Sequence, residues 1–185
     1  MVNFELESNY FLSESFLELD IKTFSEAMRF IKNLPYGRNA NREDFTLVLK
    51  EQKGTCSSKH ALLKSLADEN HHFEVKLMLG IFKMNGSNTP KIKSVLEKYQ
   101  LDYLPEAHNF LKIEDEIFDC TNAHSSDLNF RKDLMVVYEI QPEDVIQKKI
   151  EIHQDFLKSW CQENQLKFQE IWEIRENCIA ALSGI

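Results

Sequence analysis

"EQKGTCSSKHALLKSLADE", residues 51–69, passes from a glycine-containing turn into an apolar-patterned helix, and a cysteine stands where the two meet. The apolar spacing predicts a helix from about Cys56 to Glu69. Its buried side is predicted to carry Ala61, Leu62, Leu63, Leu66 and Ala67, and its outer side Lys59, Lys64 and Asp68. The sequence therefore places a thiol at the first position of an amphipathic helix.

A thiol at this position is chemically favoured as a nucleophile. The positive end of the helix dipole and the N–H groups of the first turn both stabilise a thiolate relative to a thiol. The helix also leaves the N–H of Cys56 without an intrahelical acceptor, so this group can donate to the oxyanion that forms when a thiolate attacks a carbonyl. Cys56 is the candidate nucleophile.

Composition narrows the classes of protein to consider. The chain has 185 residues, of which 43% are hydrophobic, and this is typical of a globular domain with a sizeable core. A net charge of -8 disfavours binding to nucleic acid. The N-terminus is acidic and no apolar run approaches about 18 residues, so we expect a cytoplasmic protein with no membrane partner. The four cysteines form no CxxC pair and are predicted to be free thiols.

The remaining periodicities predict an α+β fold with a largely antiparallel sheet. A helix is predicted over residues 23–33, where Thr23 and Glu26 resemble a capping box, and a polar loop follows Pro35. Further along, the patterns predict a strand within 73–85, a short helix at 90–101, a hairpin of 108–113 and 117–121, and a strand near 133–140. Helices follow Pro142 and divide near 162–165. We expect one core over residues 1–141, led by helix, with 142–185 as a helical extension packed on the same domain.

The hairpin supplies partners for a thiolate. In a tight hairpin that turns around Glu114 to Glu116, residue 113 should pair with 115–117, and residue 108 with 119–122. His108 and Asp119 are then expected on one face, where the carboxylate can orient the imidazole as a general base. Cys120 should point away from them, because strand side chains alternate.

These residues resemble a known family. A cysteine that begins a helix, a strand, and then "AHNFLKIEDEIFDCT" look like the transglutaminase-like core of the papain-like cysteine enzymes, over roughly residues 36–122. The resemblance implies a papain-like transglutaminase core with Cys56 as nucleophile, His108 as general base and acid, and Asp119 as the orienting carboxylate. It implies acyl transfer from an amide through a thioester, to water or to an amine, without a cofactor. Phe110 stands where the family carries an aromatic residue.

Substrate contacts and alternatives complete the expectations. The candidate substrate-binding residues are Arg38, Asn39, Arg42 and Phe110, and the substrate is expected to be a peptide, a protein or a small amide, with a homo-oligomer possible. Gln52 and the backbone near 36–39 are candidates for a second oxyanion donor. One alternative is a non-catalytic domain that keeps this fold to bind a protein or peptide. Another is a metal at Cys56 and His60, whose i, i+4 spacing suits it but which lack an obvious third ligand. His153 is predicted to have no functional partners.

Overall fold

A computed structural model describes residues 3–183 of the chain. The fold is α+β, with a four-stranded antiparallel sheet and helices before and after it. The helices are α1 (Phe11–Leu17), α2 (Phe24–Asn33), α3 (Leu47–Glu51), α4 (Cys56–Glu69), α5 (Lys93–Lys98), α6 (Gln147–Glu163) and α7 (Phe168–Ser183). The strands are β1 (Val75–Met84), β2 (Leu104–Ile113), β3 (Glu116–Phe118) and β4 (Leu134–Ile140).

The sheet has the strand order β3-β2-β1-β4. The β2–β3 hairpin pairs Leu111 with Phe118 and Ile113 with Glu116, which confirms the predicted pairing of residue 113. The pairing ends at Leu111 and Phe118, so the predicted pairing of residue 108 with 119–122 is not part of this ladder. Glu114 begins the turn in the left-handed region, with φ 53°. β3 ends at Phe118. Asp119 therefore lies just after this strand, whereas the sequence pattern had predicted it within the strand.

The chain divides into two compact units. The first takes the described chain up to Leu79, together with Asn109–Asp127 and Tyr138–Ile146. Its central element is α4, which packs against α1, α2, α3 and a 3₁₀ turn at Pro142–Val145. Because neighbours surround it, α4 is buried on most of its circumference, which is typical of a helix in the middle of a core.

The second unit contains Gly80–His108, Leu128–Val137 and the described chain from Gln147 onward. In it α7 packs against α6, α5 and the 3₁₀ turn at Pro90–Ile92. A buried ion pair lies among the apolar residues: the guanidinium of Arg175 donates to both carboxylate oxygens of Glu106, at 2.9 and 2.8 Å. His153 donates from Nε2 to the carbonyl of Pro105 at 2.9 Å, 4.0 Å from the Glu106 carboxylate. His153 therefore has polar partners within this unit, and the expectation that it has no functional role stays a prediction.

Several predicted elements are confirmed, including the residues at which they begin or end. The helix at the cysteine runs from Cys56 to Glu69, and α2 has the predicted capping box between Thr23 and Glu26. All four cysteines are free thiols, and all are buried. The short helices α1 and α3 were not predicted, because five to seven residues give too few turns for a periodic pattern.

Two lysines of α4 are placed differently from the prediction. Lys59 is fully buried and Lys64 is 5% exposed, although both were expected on the outer side. Lys64 pairs with Asp68 one turn later, and Lys59 binds backbone carbonyls. A helix surrounded by other elements has no wide solvent face for its cations, so each needs a partner inside the protein.

Across residues 3–183, none of the helices combines the length and the apolar character that crossing a bilayer requires. The predicted cytoplasmic location and the predicted boundary at residue 141 stay predictions.

Candidate active site

Cys56 is the first residue of α4 and is 9% exposed. The helix start is closed by a capping box: Thr55 Oγ1 accepts the N–H of Ser58 at 3.4 Å, and Ser58 Oγ accepts the N–H of Thr55 at 3.0 Å. These bonds use N–H groups on either side of the cysteine, so the cap fixes the backbone that carries the thiol. The predicted position of Cys56 at the start of a helix is confirmed.

The turn before the cysteine depends on the absence of a side chain at Gly54. A Cβ built there would lie 2.9 Å from Lys59 Cγ, 2.9 Å from Ser58 Oγ and 3.0 Å from Val48 Cγ2. The backbone of Gly54 also pairs with the loop after α2, donating to the carbonyl of Pro35 at 3.2 Å. The chain therefore enters α4 in close contact with the first turn of that helix, which a larger residue would prevent.

Asn39 joins this loop to α4. Its side-chain oxygen accepts from Ser58 Oγ at 3.0 Å, and its amide donates to Glu51 Oε2 and to the carbonyl of Lys53, both at 3.1 Å. Asn39 is buried, so its side chain is committed to contacts inside the chain. Its predicted contact with a substrate stays a prediction.

The other candidate substrate contacts differ in exposure. Arg38 and Arg42 are exposed, as a side chain that binds a substrate from solution requires. Phe110 is 1% exposed, so its ring is part of the core. Of the candidates for a second oxyanion donor, the Gln52 amide donates to the carbonyl of Leu49, and the N–H of Gly37 donates to the carbonyl of Gly54.

His60 connects the backbone of Cys56 with the backbone of Cys120. Its Nε2 lies 2.8 Å from the N–H of Cys120, which donates to it, so the ring proton is on Nδ1. Nδ1 then donates to the carbonyl of Cys56 at 2.7 Å. Both ring nitrogens are thus used in a neutral imidazole, and His60 binds the main chain of Cys56. Among the described residues, no group of three or more His, Cys, Asp or Glu side chains could hold a metal ion.

Asp119 is buried, with its side chain 4% exposed. Its Oδ1 accepts the N–H of Thr121 at 2.9 Å and lies 3.8 Å from His60 Nε2. Because that nitrogen is already an acceptor for Cys120, the contact with His60 is not an ion pair. The Asp119 carbonyl accepts from Ser125 Oγ at 3.0 Å, which holds the chain after β3 in place. An ionised carboxylate buried in this way requires polar partners.

The residues that follow Cys56 and His108 in the chain are in contact with each other. Ser57, which follows Cys56, donates from Oγ to Asn109 Oδ1 at 3.1 Å. Asn109 follows His108 in the chain, is fully buried, and donates to the carbonyl of Met78 at 3.1 Å. A role for Asn109 was not predicted, because a single Asn within a strand carries no distinguishing pattern.

His108 itself lies in β2 among aromatic rings. Its ring centroid is 4.8 Å from that of Phe130 and 6.0 Å from that of Phe82, both in edge-on geometry. The side chain is neither fully buried nor exposed. Edge contacts with two rings restrict the orientation of the imidazole.

Lys59, three residues after Cys56, is buried although its place in the sequence pattern predicts an exposed side chain. Its Nζ donates to the carbonyls of Leu34 at 2.5 Å and Thr121 at 2.7 Å. Burial lowers the pKa of Lys59 to about 8, and the effect is partly offset by Cys120, Asp119 and Cys56. A single periodicity cannot reveal such a lysine, because its two acceptors lie 25 and 62 residues away in the sequence.

The surroundings of the three other cysteines disfavour the thiolate form of each. Burial, with a smaller effect of Asp119, raises the pKa of Cys120 to about 12. Burial also raises the pKa of Cys178 to about 11 and that of Cys161 above its ordinary value. A raised pKa lowers the fraction of each of these three thiols that is thiolate near neutral pH.

In comparisons with known proteins, no protein-family model, no curated protein and no solved structure matches the chain. The class that the structure defines is an α+β protein with a buried cysteine at the start of its central helix.

Proposed function

We propose that the chain is a transglutaminase-like cysteine enzyme that transfers an acyl group from an amide. The observation that carries the proposal is the place of Cys56 as the first residue of α4, a 14-residue helix with a closed capping box. Such a position stabilises a thiolate and aims N–H groups at an attacked carbonyl. The hydrogen bond between Ser57 and Asn109, and the buried carboxylate of Asp119, support the same assignment.

In the proposed reaction the Cys56 thiolate attacks the amide carbon, and the N–H of Cys56 donates to the oxyanion. The imidazolium of His108 gives its proton to the leaving amine as the C–N bond breaks, which leaves a thioester on Cys56. His108 then takes a proton from water or from an acceptor amine, which attacks the thioester. The acid or the new amide leaves, and the thiolate is restored. Asp119 holds the imidazole in the tautomer that both steps need.

Substrate binding in this proposal uses the exposed Arg38 and Arg42, on the loop that Asn39 fastens to α4. A guanidinium offers a fixed fork of donors to a carboxylate or an amide oxygen of a peptide, protein or small amide. Asn39 would act by shaping this loop, and Phe110 by packing beneath the site.

The alternative is a non-catalytic domain of the same fold that binds a peptide. The observation that favours it is the low exposure of Cys56, 9%, which limits the access of a carbonyl to the sulfur. The two functions differ in whether a covalent adduct forms.

The test uses peptides capped by a fluorogenic amine. Amine release is followed in solution, and the acyl group is located by mass spectrometry after acid quenching. We expect the adduct on Cys56 only, loss of turnover in Cys56→Ala, and a reduction of at least about a hundredfold in His108→Ala. Added hydroxylamine, captured as a hydroxamate, distinguishes amine transfer from hydrolysis.

Matched controls separate chemistry from folding. Cys178→Ala removes another buried thiol, and His124→Ala removes an exposed histidine outside the site. Both should keep full turnover. Iodoacetamide labelling of Cys56 gives the decisive second readout: a midpoint well below about 8.5, raised in His108→Ala, is expected. An ordinary midpoint that His108→Ala leaves unchanged, without any adduct, would sink the catalytic proposal in favour of peptide binding.

A further inference from the structure

We propose that Lys59 is a positioning residue whose buried ammonium stabilises the negative charges of Cys56 and Asp119. This inference rests on the proposed function, because it assigns a role in forming the thiolate. Lys59 itself touches no reacting atom in the proposed reaction.

The ammonium of Lys59 is fixed in place. Nζ donates to the carbonyls of Leu34 and Thr121, and the side chain is fully buried. Its stem runs beneath Gly54, where an added Cβ would lie 2.9 Å from Lys59 Cγ. A cation held in this way cannot turn to solvent to escape its surroundings.

The backbone of Thr121 contacts both charged groups. The N–H of Thr121 donates to Asp119 Oδ1, and the carbonyl of Thr121 accepts from Lys59 Nζ. Thr121 therefore links the carboxylate to the ammonium through one residue. Lys59 also follows Cys56 by three residues, so it lies one turn along α4 from the thiol.

A buried ammonium needs compensating negative charge. Three groups of this unit favour its charged form when they are themselves ionised: the thiolate of Cys120, the carboxylate of Asp119 and the thiolate of Cys56. Cys120 is neutral near physiological pH, since burial raises its pKa to about 12. Asp119 and Cys56 remain. Because electrostatic coupling is mutual, the ammonium favours the thiolate of Cys56 as much as that thiolate favours the ammonium.

A purely structural role is the competing explanation, in which Lys59 only satisfies two carbonyls. The two roles differ in one observable. A structural lysine affects stability but not the titration of Cys56, whereas a charge partner moves that titration.

The test compares Lys59→Met, which keeps most of the volume, with Lys64→Met on the same helix. Lys64 is also buried, but it pairs with Asp68 at the opposite end of α4. The pH midpoint of iodoacetamide labelling at Cys56 is read by mass spectrometry. We expect Lys59→Met to raise the midpoint by about one pH unit and Lys64→Met to leave it unchanged. Equal midpoints in wild type and in a folded Lys59→Met protein would overturn the inference.

A reciprocal measurement decides the matter where Lys59→Met does not fold. The titration of Lys59 is followed through its ¹³Cε resonance in wild type and in Cys56→Ala. Loss of the thiolate should lower the Lys59 midpoint, and an unchanged midpoint would contradict the coupling. These outcomes are distinct from failure of the proposed function: a low wild-type midpoint that responds to His108→Ala but not to Lys59→Met rejects the role of Lys59 alone.

Discussion

The buried ion pair of the second unit allows a quantitative prediction about stability. Arg175 binds Glu106 through two parallel hydrogen bonds of 2.9 and 2.8 Å, and the Glu106 side chain is 8% exposed. Arg175 also lies 5.2 Å from the centroid of the Trp172 ring. Removing one partner of a buried pair leaves the other charge without compensation. We therefore expect Arg175→Met to lower the free energy of unfolding by about 3–5 kcal/mol.

The double variant Glu106→Met/Arg175→Met tests the reason for this loss. If the uncompensated carboxylate causes most of the cost, removing it as well should restore part of the stability. We expect the double variant to be more stable than Arg175→Met. Urea unfolding is followed by the fluorescence of Trp160 and Trp172, of which Trp172 is the ring that Arg175 contacts.

The pH dependence of the free energy of unfolding gives an independent measure of how much the Glu106 carboxylate contributes to stability. Burial alone would raise the pKa of Glu106, but Arg175 and then His153 lower it from 4.5 to about 2. A carboxyl whose pKa is lower in the folded state stabilises the protein above pH 4.5 and loses that contribution as the pH falls toward 2. The difference corresponds to about 3 kcal/mol, which Glu106→Gln should lack.

An exposed ion pair provides the control. Lys167 and Glu170 lie 2.8 Å apart, with side chains 81% and 62% exposed. Lys167→Met should leave the unfolding curve in place, since solvent screens such pairs. The reasoning is refuted if Arg175→Met also changes stability by less than about 1 kcal/mol, or if the double variant is the least stable of the set.

Three further predictions concern the candidate site and its surroundings. Gly54→Ala should destabilise the protein by about 1–3 kcal/mol in urea unfolding, because its Cβ would lie 3.0 Å or less from three side-chain atoms, whereas Gly37→Ala meets only the flexible side chain of Lys53. Cys120 and Cys178, with pKa values raised to about 12 and about 11, should resist iodoacetamide at pH 7.5 until urea unfolds the chain; native labelling of either contradicts the burial argument. Thr55→Ala should cost about 1 kcal/mol by removing the cap of α4, and Thr55→Ser should recover most of it in the same assay.

The parts of the fold that follow from neighbouring residues could be predicted. The capping box of α2 lies within four residues, and the β2–β3 register follows from a short turn. The ends of α4 follow from a cap, an apolar pattern and a polar stop at Asn70. The end of β3 was placed three residues too late, because side-chain alternation continues through Asp119–Thr121 although the pairing stops at Phe118.

The polar interior could not be predicted in the same way. Lys59, His153 and Asn109 are buried by partners 25 to 62 residues distant, as with Leu34 and Thr121 for Lys59. A polar residue on an amphipathic pattern is normally assigned to solvent, and only the packing of other elements reverses that assignment. The helix start at Cys56 could be predicted, because it is a local feature, and the role of Cys56 as nucleophile stays a prediction.

The first turn of α4 is held by directional polar contacts. Thr55 and Ser58 close the cap, Ser57 binds Asn109, and the side chains of Lys59 and His60 bind carbonyls. A rotation of α4 by one residue, about 100°, would break all of these hydrogen bonds together, because each tolerates little change in angle.

The middle of the helix, from Ala61 to Ala67, is mostly apolar and fully buried apart from Lys64 and Ser65. Apolar contacts stabilise a helix but tolerate small displacements, since their energy depends on buried area more than on angle. The two parts of α4 thus have different roles. The apolar part stabilises the fold by burial, and the polar first turn fixes the position of Cys56. In the proposed reaction the sulfur of Cys56 has to be held within about 0.5 Å of its productive position. The polar half of α4 is the part that can meet this requirement, and the capping and Lys59 variants test it.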